Sequence, residues 1–273
     1  MNMYLVAIIL GIVEGLTEFL PISSTGHLIL VNQFAGFTGR FANMFDVIIQ
    51  LGAILAVVAY FGQRLFPFGR SKSAAEKENS WDLWKKALIG VFPALIVGAV
   101  LGKYIEEKLF NPVTVAIALV IGGIVLIVAE KRKKLCTINS ISSLSYKTAF
   151  FIGLIQCLAM IPGTSRSAAT IIGAMFLGAS RIVAAEFSFF LAIPTMLAAS
   201  TYSFLKAGIT LTSDELSVLA IGFITSFFVA LLVITVFMNY ISKKSFKPFG
   251  YYRVILGVAV FIYFTYFISA RFI

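Results

Sequence analysis

Eight apolar stretches follow one another along this chain, and they constrain its fold more than any other feature does. They fall at about residues 4–31, 44–62, 87–102, 112–129, 148–178, 185–205, 217–240 and 253–270. A helix needs about 20 apolar residues to span a bilayer, and a segment in lipid must satisfy its backbone polar groups internally. Hydrophobic residues make up 60% of the 273 positions, against roughly 45–50% in soluble domains. The sequence therefore predicts an all-α polytopic membrane protein.

Charge and cysteine content exclude several other classes of protein. The net charge of +10 comes from Lys and Arg in short segments between apolar stretches, which suits membrane orientation and anionic headgroups better than nucleic acid. The sequence has no glycine-rich nucleotide loop, no histidine cluster and no soluble domain. Cys136 and Cys157 are too few for a disulfide framework or a zinc site, and the N-terminus lacks the basic region of a signal peptide. We expect one membrane domain over residues 1–273, surrounded by membrane lipids.

Two of the apolar stretches are interrupted by polar residues. Stretch 4–31 contains Pro21 followed by Ile-Ser-Ser-Thr-Gly, and stretch 148–178 contains Pro162 followed by Gly-Thr-Ser-Arg-Ser. Proline removes a backbone donor and clashes with the preceding turn, whereas the Ser and Thr residues that follow are good helix N-caps. Each interrupted stretch is therefore predicted to be two half-helices joined by a polar loop.

The two interruptions belong to an internal repeat, with repeat 1 over residues 1–134 and repeat 2 over residues 145–273. Segment 153–158 aligns with 11–16, and Pro162–Arg166 aligns with Pro21–Thr25. Interrupted helices in matching positions of two halves point to a binding site at the bilayer midplane. Further aligned positions are Glu186 over Asp46, Gly222 over Gly90, and Gln156, Met160 and Ala168 over Glu14, Glu18 and His27.

Lysine and arginine counts favour a re-entrant path for both interrupted stretches. If each stretch enters and leaves on one side, sixteen Lys and Arg fall on one face of the membrane and five on the other, with Arg166 inside. If each spans fully, the count is thirteen against eight. The positive-inside rule therefore predicts three spanning helices per repeat, inverted repeats and both termini outside the cytoplasm. The predicted cytoplasmic segments are 63–86, 130–147, 179–184 and 241–253, with Ser71 to Lys86 as a surface loop anchored by Trp81 and Trp84.

Glu14 and Glu18 have the highest free-energy cost of membrane insertion in the first interrupted stretch. Each charged group near the bilayer centre costs roughly 2.5–3.5 kcal/mol on insertion scales, so an ionisable residue there is a functional candidate. Four residues apart on a helix, the two carboxylates share one face. Together they offer a hard-oxygen site suited to Mg²⁺ or Ca²⁺. The alternatives are an acid pair stabilised by protonation and a proton relay in a transporter.

Hydroxyl groups and the only histidine follow the acid pair. Ser23, Ser24 and Thr25 stand at the start of the second half-helix, where free backbone N–H groups and the helix dipole favour a phosphate. Simple N-capping is the alternative, although one hydroxyl is enough for that. His27 lies three residues after Ser24 on the same helical face, and its position beside an acid pair in lipid favours a general acid/base role over a structural one.

Arg166 supplies the complementary charge in the second interruption. Its guanidinium is a planar fork suited to bidentate phosphate contact, and we expect Ser165, Ser167 and Thr170 to frame the same anion. The alternative is a structural ion pair between Arg166 and a glutamate. Asp46, near one end of the first full span with Gln50, is either support for the cavity or simple interface solvation, and Glu186 is expected to be structural.

The two motifs resemble those of a known family. Glu14-Gly-Leu-Thr-Glu18-Phe-Leu-Pro-Ile-Ser-Ser-Thr-Gly-His27 and Pro162-Gly-Thr-Ser-Arg-Ser-Ala-Ala-Thr170 are similar to the signatures of undecaprenyl-diphosphate phosphatase, the bacterial bacitracin-resistance family of integral membrane enzymes. The resemblance covers essentially the whole chain. It implies hydrolysis of a C55-polyprenyl diphosphate to the monophosphate in the bacterial plasma membrane, which recycles the lipid carrier for peptidoglycan synthesis. It also implies a divalent metal and catalytic roles for the residues matching Glu14, Glu18, Ser24, His27 and Arg166.

Two mechanisms and a rival class of protein follow from these residues. In the first mechanism Ser24 attacks the terminal phosphate with His27 as base, while Arg166 and the helix N-termini hold that phosphate. In the second, a metal-activated water attacks directly. The rival class is a transporter or lipid flippase with Glu14 and Glu18 as a coupling-ion site, although the unequal repeats argue against it. We expect the site to open outward. A homodimer is compatible with the small residues Gly98 and Gly102 but is not indicated by them.

Overall fold

The structure, a computed structural model, describes residues 2–69, 72–131, 136–207 and 211–268, and it is built from helices. Within these residues it has no β-strand, so the prediction of an all-α protein is confirmed. Three parts of the charge count, Arg70, the run Arg132–Lys134 and Arg271, lie outside the described residues, as does Ser71. The helices are α1 (Met3–Thr17), α2 (Ser24–Ala35), α3 (Arg40–Tyr60), α4 (Gly62–Leu65), α5 (Ala74–Leu109), α6 (Pro112–Lys131), α7 (Tyr146–Gln156), α8 (Arg166–Phe176), α9 (Arg181–Ala207), α10 (Ser213–Ile241) and α11 (Lys247–Ile262). A 3₁₀ turn, Cys157–Met160, follows α7, and a π-helix, Tyr263–Ile268, follows α11.

Helix length separates spanning helices from short ones. Six helices in the described part of the chain are long and apolar enough to cross a membrane, namely α3, α5, α6, α9, α10 and α11. The 15 residues of α1 extend only about 22 Å, against about 30 Å of hydrocarbon, and α2, α7 and α8 are shorter still. Six spanning helices and two broken helix pairs are therefore as predicted. The re-entrant path of each pair stays a prediction.

The predicted surface loop before the second span is wrong. The residues from Ala74 onward are the first turns of α5, a helix of 36 residues that begins with a capping box formed by Ser73 and Glu76. Trp84 anchors these turns, because its Nε1 donates a 2.8 Å hydrogen bond to the carbonyl of Leu65. At about 54 Å, α5 is longer than the membrane is thick. Its charged N-terminal third therefore continues a spanning helix outside the bilayer, which the apolar pattern alone did not indicate.

The prediction that Arg253 lies in a cytoplasmic segment is also wrong. It was counted among the basic residues of the segment 241–253, but it lies within α11 and is completely buried. It therefore contributes nothing to the charge of a cytoplasmic loop. The predicted cytoplasmic face then has fifteen Lys and Arg by the same count, and the charge asymmetry keeps its direction.

Helix contacts repeat between the two halves. Helix α1 packs along α10 and α7 packs along α5, while α6 pairs with α11 and α3 with α9. Glycines make the first two contacts close: a Cβ on Gly11 would lie 2.7 Å from the Gly222 carbonyl oxygen, and a Cβ on Gly153 would overlap the Gly90 carbonyl. The contact of α1 with α10 therefore corresponds to the contact of α7 with α5 in the other half, as a two-fold relation between the repeats requires. The inverted orientation of the repeats in the membrane stays a prediction.

The two breaks are equivalent at their N-caps rather than at their prolines. Ser23 and Ser165 both have positive φ angles, of 74° and 68°. Each side chain accepts a hydrogen bond from the backbone N–H three residues on, that of Gly26 or of Ala168. Ser165 therefore corresponds to Ser23, and the sequence alignment of Pro162–Arg166 with Pro21–Thr25 is wrong by one residue. The prolines differ in distance from the cap, so position 169 rather than Ala168 stands opposite His27.

Candidate active site

Glu14 and Glu18 lie at the end of α1 and are buried. Glu14 is in the last turn of the helix, and Glu18 is its C-cap residue. The exposed fraction of Glu14 is 0% and that of Glu18 is 6%. Neither carboxylate oxygen of Glu14 has a hydrogen-bond partner in the described part of the chain. Because an unpartnered buried carboxylate is costly, this position is suited to a cation.

Ser24 makes the closest polar contact of Glu18. It is the first residue of α2, and its Oγ donates a 2.6 Å hydrogen bond to Oε2 of Glu18. The capping hydrogen bond donated by the Gly26 N–H is accepted by the Oγ of Ser23 instead, which leaves the Ser24 hydroxyl free for the carboxylate. Ser23 therefore caps α2, and Ser24 contacts the carboxylate of Glu18.

Arg166 brings the second break to the same carboxylate. It is the first residue of α8, and its Nη2 lies 3.1 Å from Oε1 of Glu18. Its Nη1 donates a 2.8 Å hydrogen bond to the carbonyl of Ser188, while Nε has no partner among the described residues. The ion pair that the sequence left open as an alternative is therefore present. Glu18 holds Ser24 on one oxygen and Arg166 on the other, so the two breaks meet.

The hydroxyl residues around Arg166 link the breaks and support the arginine. The Ser167 Oγ donates a 2.9 Å hydrogen bond to the carbonyl of Leu20 in the first break and lies 3.0 Å from the Ser165 Oγ. Thr170 is fully buried, and its Oγ1 donates a 2.6 Å hydrogen bond to the Ser188 Oγ. The hydrogen bonds of these hydroxyl groups are to the protein, and the prediction that they frame an anion stays a prediction.

Thr25 and His27 are less buried than the acid pair. Nδ1 of His27 lies 2.7 Å from the Ser23 carbonyl, and Nε2 lies 2.6 Å from the hydroxyl of Tyr252. Because a carbonyl only accepts, Nδ1 carries a proton, so in a neutral ring Nε2 accepts from the tyrosine. The predicted pairing of His27 as base with Ser24 is therefore wrong in this arrangement. Ser24 starts its helix and turns toward Glu18 instead.

Sequence reasoning missed Ser188, Tyr252 and Arg253. Ser188 stands at the position in repeat 2 that corresponds to Asp46 when the halves are aligned on their N-caps, a signal that the proline-based alignment hid. Tyr252 and Arg253 lie where the last apolar stretch begins, so the arginine looked like a loop residue. Of the weaker candidates, Asp46 accepts a 2.8 Å hydrogen bond from Asn32, and Glu186 pairs with Arg64 at 2.6 Å.

The described residues fit one kind of divalent-cation site. They contain no group of three or more His, Cys, Asp and Glu residues placed to hold a metal, so at most two such side chains would bind the same cation there. Mg²⁺ usually keeps several waters and is bound by one or two carboxylates together with substrate phosphates. The unpartnered oxygens of Glu14 and the adjacent Glu18 are donors of that type.

Comparison with known proteins identifies the family. The family described as "Bacitracin resistance protein BacA" matches residues 7–259. The chain belongs to this family. The matched region includes both breaks and all six spanning helices nearly to their ends, so the resemblance inferred from the motifs is confirmed.

Individual members of the family are similar over nearly their whole length. The chain is 51% identical over 260 residues to "Undecaprenyl-diphosphatase 1" of Clostridioides difficile, which covers 94% of this chain and 95% of that protein. It is 50% identical over 266 residues to "Undecaprenyl-diphosphatase" of Limosilactobacillus fermentum, covering 95% and 96%. It is 48% identical over 262 residues to the Enterococcus faecalis protein of that name, covering 93% and 95%.

Proposed function

We propose that this chain is a membrane phosphatase that hydrolyses undecaprenyl diphosphate to undecaprenyl phosphate and inorganic phosphate. The reaction returns the C55-polyprenyl carrier to peptidoglycan synthesis and confers resistance to bacitracin, the property by which the family is described. The names of the relatives support this activity. The observation that carries it is the contact of Glu18 with both Ser24 and Arg166, because it joins a hydroxyl, a carboxylate and a guanidinium inside a membrane protein.

Ser24 is the proposed nucleophile, and Glu18 is its base. As the Ser24 Oγ forms a bond to the terminal phosphorus, the bond from that phosphorus to the bridging oxygen breaks. Undecaprenyl phosphate leaves with the bridging oxygen and its electron pair, and the hydroxyl proton passes to Glu18 along the 2.6 Å hydrogen bond. Water then adds to the phosphorus while the bond to Oγ breaks, and Glu18 returns its proton to the Ser24 oxygen. Both protons of the water leave with the phosphate as dihydrogen phosphate. General base catalysis of this type typically contributes 10²–10⁴-fold.

Arg166 and the starts of α2 and α8 form the proposed phosphate-binding surface. Phosphoryl transfer depends mainly on positioning and charge neutralisation, and Arg166 keeps a donor, Nε, that has no partner in the part of the chain the structure describes. Helix N-termini add free N–H groups. Ser23, Thr25, Ser165, Ser167 and Thr170 are proposed to line or support this surface. His27 is proposed to exchange protons through Tyr252 rather than to act on Ser24.

Glu14 and Glu18 are the proposed ligands of a divalent cation, Mg²⁺ or Ca²⁺. When bound, such a cation supplies positive charge that neutralises the phosphate oxygens. The unpartnered carboxylate of Glu14 supports this assignment. Direct attack by water, without a phosphoserine, remains the alternative to the serine mechanism and is decided by trapping, as described below.

The proposed setting is the bacterial plasma membrane, with both termini outside the cytoplasm and a site that opens outward. The distribution of Lys and Arg supports this orientation. Single cysteines at Asn2 and at Ser140, in a chain without Cys136 and Cys157, test it. A membrane-impermeant maleimide applied to intact cells should label the first and leave the second unlabelled. The opposite pattern would reverse the proposed topology. A homodimer is a further proposal, to be checked by light scattering of the purified protein.

Phosphate release by the purified protein tests the proposed function. Wild-type protein in detergent is incubated with undecaprenyl diphosphate and Mg²⁺ or Ca²⁺, with and without EDTA. Release that depends on the metal is the expected result. A well-folded protein that releases no phosphate would overturn the phosphatase assignment and favour the transporter or flippase, which a coupled flux assay in liposomes would then examine.

A further inference from the structure

Arg253 forms hydrogen bonds with both breaks, in each case with the carbonyl oxygen of the residue two positions before the N-cap. Its Nη1 donates a 3.2 Å hydrogen bond to the carbonyl of Pro21, and its Nη2 donates a 3.0 Å hydrogen bond to the carbonyl of Gly163. Pro21 lies two residues before the N-cap Ser23, and Gly163 lies two residues before the N-cap Ser165. The guanidinium therefore joins equivalent main-chain positions in the two repeats.

The guanidinium reaches the breaks through a gap between α6 and α11. Its other hydrogen bonds go to the carbonyls of Ala118 and Leu119 on α6, at 3.1 and 3.4 Å. A Cβ on Gly122 would overlap Nη2, so the absence of a side chain there makes room for the group. Arg253 is thus built into the helix pair and extends from it to both loops.

A gain in stability does not explain why the charged guanidinium of Arg253 is buried against carbonyl oxygens. The exposed fraction of Arg253 is 0%, and no carboxylate of the described residues forms an ion pair with it. A buried ion is costly, and replacing it by an apolar residue of similar size is often neutral or stabilising. What arginine offers here is a rigid fork whose donors diverge to separate acceptors.

We propose that Arg253 is a positioning residue that fixes the distance between the two halves of the site. Ser24 and Glu18 flank the first loop and Arg166 follows the second, so a change in the separation of the loops changes the contact of Glu18 with Arg166. This proposal rests on the proposed phosphatase activity for its kinetic test only. Its structural test does not depend on any activity.

The kinetic test compares Arg253→Met and Arg253→Lys with Lys86→Met. Lys86 is a control, because it is also buried and donates to two carbonyls, those of Ile141 and Ser142, but touches neither break. Unlike Arg253, it also pairs with a carboxylate, that of Asp82. A misplacement of about 1 Å can cost about 100-fold in rate. We expect kcat per folded protein to fall by about that factor in Arg253→Met, to fall less in Arg253→Lys, and to stay near wild type in Lys86→Met.

A second variant displaces the guanidinium without removing it. Gly122→Ala pushes the added methyl group against Nη2, whereas Gly102→Ala has no atom within 4 Å of its new Cβ. We expect Gly122→Ala to lower kcat and Gly102→Ala to leave it unchanged. This variant keeps the charge, so it remains informative where Arg253→Met does not fold.

Hydrogen exchange by mass spectrometry gives the structural readout. In Arg253→Lys and Gly122→Ala we expect faster exchange in peptides covering residues 18–26 and 161–168, with no change in the spanning helices. Unchanged exchange in both loops, or a uniform increase over the whole chain, would overturn the positioning role. If wild type proves inactive, the proposed function fails, while the exchange result still decides the role of Arg253.

Discussion

The Ser24 hydroxyl donates a 2.6 Å hydrogen bond to Oε2 of Glu18. The other oxygen of Glu18 pairs with the guanidinium of Arg166, which begins the corresponding half-helix of the second repeat. One carboxylate therefore orients the proposed nucleophile and the proposed phosphate-binding arginine together. In this arrangement the acid at the C-cap of α1, rather than the histidine, is the base available to the serine.

Replacement of Glu18 tests that assignment. Glu18→Gln keeps the size of the side chain but removes the base and the charge facing Arg166, so we expect the rate of phosphate release to fall by about 10²- to 10⁴-fold. Glu78→Gln is the control, since Glu78 is an exposed glutamate on helix α5. Measured rates within twofold of each other for the two variants would contradict a catalytic role for Glu18.

Removal of the Ser24 hydroxyl separates the serine mechanism from direct attack by water. Loss of a nucleophile can cost about 10⁶-fold in a hydrolase, so Ser24→Ala should release almost no phosphate. Rapid quench of wild type with diphosphate labelled in the terminal phosphate should leave label on Ser24. Absence of the label, together with substantial activity of Ser24→Ala, would favour attack by water.

Glu14 should control cation affinity. Because its two buried oxygens have no hydrogen-bond partner among the residues that the structure describes, Glu14→Gln is expected to weaken binding of Mg²⁺ or Ca²⁺ by at least about tenfold. Isothermal titration of the purified protein measures this without substrate. If Glu14→Gln binds the cation as tightly as Glu78→Gln does, Glu14 is not a metal ligand, whatever its effect on activity.

Tyr252 should affect activity through His27 alone. Tyr252→Phe removes the 2.6 Å contact with Nε2, and one hydrogen bond is worth about 0.5–1.5 kcal/mol. The expected loss in kcat is therefore about two- to tenfold. The neighbouring exposed Tyr251 provides the control as Tyr251→Phe. If the histidine does not take part, both variants will match wild type.

Gly153, the single glycine of α7, should be sensitive to substitution. A Cβ there would overlap the carbonyl of Gly90 on α5, and overpacking of this kind typically costs 1–3 kcal/mol. We expect Gly153→Ala to lower the midpoint of thermal unfolding. Gly102→Ala, whose Cβ meets open space, should leave it unchanged or raise it slightly. Equal midpoints would mean that α5 and α7 can separate at little cost.

The sequence predicted the parts of this protein that depend on local chemistry. Apolar length identified the spanning helices, and Pro21 and Pro162 with their following hydroxyl residues identified the two breaks. It also brought Glu18 and Arg166 to one site through the repeat. These inferences succeed because a lipid environment leaves few alternatives to a helix, and because a charge within it needs a partner.

Two of the errors concern contacts between residues far apart in the chain. The partner of His27 is 225 positions away, so a spacing of three residues from Ser24 did not identify it. Arg253 stands at the edge of an apolar stretch, where a buried and a solvated arginine have the same sequence context. The alignment of the breaks failed because it followed the prolines, whereas the backbone is set by the capping serines.

The close approach of α1 to α10 has a consequence for how such a protein can vary. Gly11 and Gly15 place the backbone of α1 on that of α10, while the exposed side chains of α1 include Leu5, Ile8 and Leu16. The position of the carboxylates is thus fixed by main-chain contact on one face of the helix and is independent of side-chain size on the other. The exposed face of this helix is therefore free to adapt to the lipid around it without disturbing the carboxylates at its end.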